Sequence, residues 1–431
     1  MNTASTRETY LQTLRALSER IVEAQRPIRI LDAIKWDSAI QERFFLNDCR
    51  ELPAIDRGYY ESRTLAFDPN SKRAEFHEIE RDIHRHLGQF SPVGVIMRRM
   101  CREYRTVIGM LESRGLPEFT RRSQELYGSA RDAFHAGDPT LADLGAMMSE
   151  AIANIDDSQL CRTEPKTITG EQAVGILQER LNRVFPDPDR PLRVKLSDGI
   201  VSDAAAGTDY LKIRGEALFN DRDLRLMEIH EGWVHLGTTL NGMSQPVCTF
   251  LSKGPPSSTV TQEGLAILME IISFASHPMR LKRVTDRIRA VDMAESGANF
   301  IEVFNFFREQ NHGESESYSN AVRVFRGSTP DGGPFTKDIS YSKGFVLTYN
   351  YVQLAVRKGL LDRISLLFCG KTTLEDIRTL AQLVEEGIVV APRYVPPQFA
   401  DLNALSAWMC YSNFLTRLNL RQIEADYANI L

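Results

Sequence analysis

Six consecutive residues, HEGWVH at 230–235, constrain this chain more than any other stretch. They hold two histidines five apart and a glutamate directly after the first. In the familiar H-E-x-x-H helix the histidines are four apart, share a face and can meet one metal ion. Here position i+5 lies about 140° further round a regular α-helix than i, so two imidazoles would not converge. One extra residue in the turn restores convergence. A π-bulge, with i→i+5 bonds, does this and is frequent at functional sites. Gly232 is the residue that best tolerates the distortion. The spacing therefore predicts a bulged or locally unwound helix over 231–234, and a straight α-helix there would count against a shared metal.

Zinc in a hydrolase usually has three protein ligands and an open position for water. The third candidate is Glu263, in TQEGLA at 261–266, 28 residues after His235. Glu270, seven residues further on, is either a substitute ligand or an outer partner of one. Glu231 would then take a proton from the metal-activated water and hand it to a leaving amine. Donors for the oxyanion are sought in Tyr318, Tyr341, Lys337, Arg323 and Arg326. Two histidines and a glutamate also suit iron, cobalt or manganese, but the His-Glu pairing favours Zn2+. Trp233 and Leu236 read as core packing. His77-Glu78, with no second histidine four or five residues on, reads as a solvated helix face.

The bulk numbers exclude several classes. A net charge of −5, with 42 % hydrophobic and 25 % charged residues, is ordinary for a globular protein and gives no reason to expect nucleic acid or membrane as partner. The six cysteines, Cys49, Cys101, Cys161, Cys248, Cys369 and Cys410, are scattered without a C-x-x-C pair, which fits free thiols in a reducing compartment. The N-terminus shows no leader pattern, and the apolar run 265–275 is interrupted by Glu270 and too short to span a bilayer. The cytoplasm is the expected location.

Along the chain, 1–160 reads as helical, with apolar spacing at Leu11, Leu14, Leu17 and Ile21 and again over 96–111 and 141–155. Breakers at 187–191 are followed by three β-leaning runs, 192–196, 200–204 and 210–214. Asn220 or Asp221 can cap the motif helix, which Asn241-Gly242 would end near Leu240. Thr259 and Gln262 form a capping-box pattern that would put Glu263 near the start of the next helix. The remainder reads as helices broken at 328–334, at Gly370 and at 392–397. The expected fold is α+β and predominantly helical, with a small β-sheet before the active-site helix. Its segments are an N-terminal helical region (1–165), a catalytic core (166–390) and a C-terminal helical extension packed on it (391–431).

At HEGWVH, TQEGLA, RVFRG (323–327) and FTKDISYSKG (335–344), with ILDAIKW (30–36) before them, the sequence resembles the family named for its QEGLA motif. Bacterial members are often labelled flavohaemoglobin expression-modulating proteins, and eukaryotic relatives include the microtubule-associated tyrosine carboxypeptidase. The resemblance implies a zincin-like metallopeptidase core, His230, His235 and Glu263 as zinc ligands, and Glu231 as general acid/base. It also strengthens Lys337, Asp338 and Tyr341 as site residues. It does not carry over tubulin as substrate, since this chain shows no basic extension for that acidic partner.

The reading that follows is a zinc carboxypeptidase acting on the C-terminus of a peptide or protein. Such an enzyme needs a cation facing the terminal carboxylate, and the group Arg323, Arg326 and Lys337 is the expected source. The rival from another class is a non-catalytic metal-binding regulator, which would not need Glu231. A third reading, HEGWVH as an accident of a helical scaffold, requires no metal at all.

Overall fold

The computed structural model describes residues 3–155, 165–187, 191–197, 200, 202–415 and 427. The fold is α+β and predominantly helical, as expected. Long helices Thr3–Gln25, Pro69–Leu87 and Pro92–Glu112 form the N-terminal part. The second and third open on proline, and the side chains of Asp68 and Ser91 accept the backbone N–H of Ser71 and Gly94. Pro92–Glu112 buries Ile96, Met100, Tyr104, Val107 and Leu111 at three- and four-residue intervals. One hydrophobic core takes Leu14 and Met100 from the first segment, Leu265 and Leu367 from the middle and Met409 from the last. No helix among the described residues is long and apolar enough to cross a membrane.

The small sheet has three strands, β1 (Arg193–Ser197), β2 (Ala204–Ala206) and β3 (Tyr210–Arg214), in the order β1-β3-β2. β1 runs parallel to β3 with Val194 opposite Leu211, and β2 runs antiparallel with Ala206 opposite Leu211. Leu211 and Ile213 point into a core with Leu177 and Leu181 of helix Gly170–Val184, while Lys212 between them points away. The second strand in the chain, β2, begins at Ala204, where the expected run ended. Residues 188–190 of the breaker cluster, Val201 and Cys161 lie outside the described residues. The other five cysteines are free thiols.

Helix Asp221–Met227 starts with a capping box between Asn220 and Asp223 and passes directly into a π-helix, Glu228–Leu236. An α-helix, Gly237–Met243, continues it, so Asn241-Gly242 is not the expected stop. Both residues are contact points instead. The Asn241 amide donates to the carbonyls of Phe368 and Tyr394 at 2.8 Å and accepts from the N–H of Arg393 and Tyr394. A Cβ on Gly242 would lie 2.3 Å from the Leu251 carbonyl oxygen.

The next helix, Pro256–Ile272, opens on Pro256 without a side-chain cap. The expected capping box at Thr259 is absent because Gln262 turns inward, its Oε1 2.8 Å from Thr238 Oγ1 and accepting from Lys371 Nζ at 2.9 Å. Glu263 therefore sits in the middle of the helix, with its backbone fixed on both sides. This helix crosses Ser340–Arg357 glycine on glycine. A Cβ on Gly264 would meet the Gly344 carbonyl carbon at 2.0 Å, and one on Gly344 would meet the Val260 oxygen at 1.9 Å. Backbone cannot yield as a flexible side chain would. Gly264→Ala and Gly344→Ala should each destabilise the protein by about 3 kcal/mol or more. An unchanged urea midpoint in either variant would disprove this crossing.

Candidate metal centre

The π turn brings the motif histidines together. Gly237 N–H bonds to the Gly232 carbonyl, five residues back, and the rings of His230 and His235 stand with centroids 4.9 Å apart. Where π-helix gives way to α-helix, side chains supply donors to the carbonyls. Thr238 Oγ1 donates to Val234 O at 2.6 Å, Thr239 Oγ1 to His235 O at 2.8 Å, and Lys371 Nζ to His235 O at 2.7 Å.

Glu263 completes the set. Its Oε2 lies 3.4 Å from Nε2 of both His230 and His235. That oxygen is buried and has no hydrogen-bond partner. Its Oε1 accepts from Lys337 Nζ at 3.1 Å. Burial would raise the Glu263 carboxyl, but Lys337 and the two imidazoles hold it well below the usual range. Tetrahedral ligation by imidazole and carboxylate at about 2.0–2.2 Å puts neighbouring donor atoms about 3.3 Å apart. One orphaned carboxylate oxygen at this separation from each of two imidazole nitrogens fits a zinc-like ion, with Glu263 as the third donor.

Glu231 stands beside this set. Ligand atoms of His230, Glu231 and His235 lie within 4.8 Å of one another. Glu231 Oε2 accepts the N–H of Ala206 at 2.9 Å, so β2 fixes its carboxylate. Behind His230, Nδ1 meets Glu270 Oε1 at 2.6 Å. Glu270 is fully buried and is gripped by Arg280 through Nε at 3.1 Å and Nη2 at 2.9 Å. Burial works against the Glu270 carboxylate, yet Arg280 and His230 hold its pKa at about 2. Of the two roles open to Glu270, the structure gives the outer one: it orients the His230 ring and turns Nε2 to the cleft.

The other expected residues divide. Tyr341 is at hand, its ring centroid 6.3 Å from that of His230, and Lys337 grips Glu263. Tyr318 is not in the site. Its ring is buried among Phe44, Phe45 and Phe300. Arg323 is held by Asp338 at 2.6 and 2.9 Å, so its fork is already occupied. Arg326 is buried with its guanidinium over the Phe335 ring, 5.6 Å from the centroid, and lines neither side of the cleft.

Two lobes of open space flank this set. One, of about 510 Å³, holds His230, Glu231, Tyr341 and Arg287. The other, about 330 Å³, holds His235, Glu263, Lys337 and Lys371. Ala204 lines the first and Ala206 the second, so β2 passes from one to the other. Arg280, Arg287 and Lys371 were not foreseen. Arg280 and Arg287 lie on helix Pro278–Glu295, which carries no motif, and Lys371 follows a glycine that reads as a simple break.

Removing the Glu270 carboxylate leaves Arg280 buried without its partner. Glu270→Ala should cost about 3–5 kcal/mol of stability. Chemical denaturation checks this, and a loss below about 1 kcal/mol would show that the pair is not structural.

No curated protein is a significant match to the chain. A family model does match, over residues 42–417, and this range takes in both motif histidines, Glu231, Glu263, Glu270 and all the cleft arginines. By this match the chain belongs to the family described as microtubule-associated tyrosine carboxypeptidase.

Proposed function

We propose that the chain is a zinc-dependent carboxypeptidase with a zincin-like core, removing a C-terminal residue from a peptide or protein in the cytoplasm. The observation that carries this reading is the convergence of His230 Nε2, His235 Nε2 and the orphaned Glu263 Oε2, with the Glu231 carboxylate alongside. Bound there, zinc supplies a Lewis acid that polarises the scissile carbonyl and makes water acidic at neutral pH.

The side chains provide the rest. Glu231 takes a proton from the attacking water and passes it to the amine nitrogen as the C–N bond breaks. The water oxygen ends on the acyl carbon, giving a shortened chain with a new carboxylate and a free amino acid. The Ala206 N–H holds one Glu231 oxygen and leaves the other for the proton. Tyr341, in the Glu231 lobe, is the hydroxyl donor for the developing oxyanion. Among the described residues β2 pairs only with β3, and the Ala206 N–H on its other edge is given to Glu231. A regulator that merely held metal would have no use for a carboxylate steered into this position.

The test joins metal analysis of untagged protein with mass-spectrometric digestion of a peptide library varied at its C-terminal residue. Wild type should hold about one zinc per chain and release single C-terminal residues. His235→Ala should lose the metal. Glu231→Gln should keep it and lose at least about 100-fold in kcat. Zinc bound without any cleavage would reject the peptidase in favour of a metal-binding regulator.

A further inference from the structure

The lobe beside Glu231 is rich in cations, and nearly all of them are already matched. Lys166 pairs with Asp223 at 3.1 Å, and Arg214 with Asp203. Arg280 is held by Glu270, Arg283 by Glu316 at 3.2 Å, and Arg323 by both oxygens of Asp338. Arg287 is different. Its closest carboxylate among the described residues is Asp338, 4.0 Å away and engaged with Arg323. Its Nε is buried without a hydrogen-bond partner. The guanidinium carbon stands 5.2 Å from the centroid of the Tyr341 ring, which fixes one face of the fork. The side chain retains 16 % exposure, toward the cleft that it lines.

Direction along the cleft follows from the chemistry. Glu231 must deliver its proton to the leaving amine, and that nitrogen belongs to the residue being released. The released residue therefore lies in the lobe that contains Glu231. The upstream chain lies in the lobe of His235 and Glu263. A volume of about 510 Å³ is within the range of small-ligand sites. In this lobe a terminal α-carboxylate meets one unmatched guanidinium.

We propose that Arg287 binds the α-carboxylate of the substrate's C-terminal residue and so makes the enzyme an exopeptidase. The assignment rests on the peptidase reading above and replaces Arg323, which Asp338 holds, and Arg326, which lines neither lobe. Burial, and the like charge of Arg323 next to it, pull the Arg287 pKa down to about 10, in keeping with a cation that has only a share of Asp338. A planar fork takes both oxygens of a carboxylate, which an ammonium group cannot do in the same way.

Binding to the zinc-loaded Glu231→Gln protein tests the proposal without turnover. The probes are short peptides of mixed C-terminal residue, synthesised as free acids and as C-terminal amides, and the readout is calorimetry. Free acids should bind about 100-fold more tightly than amides. Adding Arg287→Gln should close that gap to within about threefold, and Arg287→Lys, which keeps the charge and bulk, should restore part of it. Zinc content and thermal midpoint of each variant verify folding. A parent protein that does not distinguish acids from amides, or a gap that survives both Arg287 substitutions, overturns the assignment. The two readings fail separately. Single-residue release by wild type with a gap indifferent to Arg287 rejects Arg287 alone. A gap closed by Arg287→Gln in a protein whose wild type cleaves nothing keeps the carboxylate site and rejects the peptidase.

Discussion

A charge buried at Glu263 is the constraint around which the site is built. A carboxylate in a closed interior costs several kcal/mol unless each oxygen finds a partner. Lys337 satisfies Oε1, while Oε2 faces two imidazole nitrogens at 3.4 Å without a hydrogen bond. A divalent cation between the three would satisfy the oxygen and both nitrogens at once. A buried charge of this kind would be compensated by the ion, which is how a preformed metal site couples binding to stability.

Three structural devices hold that geometry, each from a different part of the chain. The Gly264–Gly344 crossing lets two helix backbones touch, which brings Glu263 within reach of Lys337 at the start of the second helix's approach. The Glu270–Arg280 pair holds the His230 ring from behind through Nδ1. Lys371 reaches back 136 residues to the carbonyl of His235, and also bonds Thr238 and Gln262, so one ammonium ties the π turn to the Glu263 helix. All three of its acceptors are neutral, and burial lowers its pKa to about 7. All the residues of these three devices lie within the matched range, 42–417.

The sequence made the local geometry readable where a spacing could be turned into an angle. The i+5 separation of His230 and His235 demanded an extra residue in the turn, and the π-helix supplies it. The β-leaning run at 210–214 is the strand β3, which buries every second residue. Failures came where a residue's partner is remote. Gly242 looked like a helix stop, but Leu251 is the reason for a glycine there. Gln262 looked like half a capping box, yet Thr238 and Lys371 claim its side chain. Tyr318 was a plausible hydroxyl donor until its aromatic neighbours from 44–45 and Phe300 were seen. Local propensity speaks for a few residues around a position; partners on other elements decide what that position does.

Helix Pro278–Glu295 shows the same point through charge. Arg280, Arg283 and Arg287 recur at three and four residues and so share one face toward the cleft. Nothing local distinguishes them. Carboxylates from other elements do: Glu270 claims the first, Glu316 the second, and Asp338, which could have claimed the third, is drawn onto Arg323. Arg287 is left desolvated, oriented by the Tyr341 ring, with its Nε lacking a hydrogen bond and only a shared carboxylate, Asp338, at 4.0 Å. Such a cation weakens the free protein, since part of its hydration has been lost without compensation. The same loss makes it a better receptor. An incoming carboxylate meets a guanidinium that is already stripped of water and fixed in plane, so less of the attraction goes into ordering the site. The instability of the free state and the selectivity for a chain terminus thus have one physical origin.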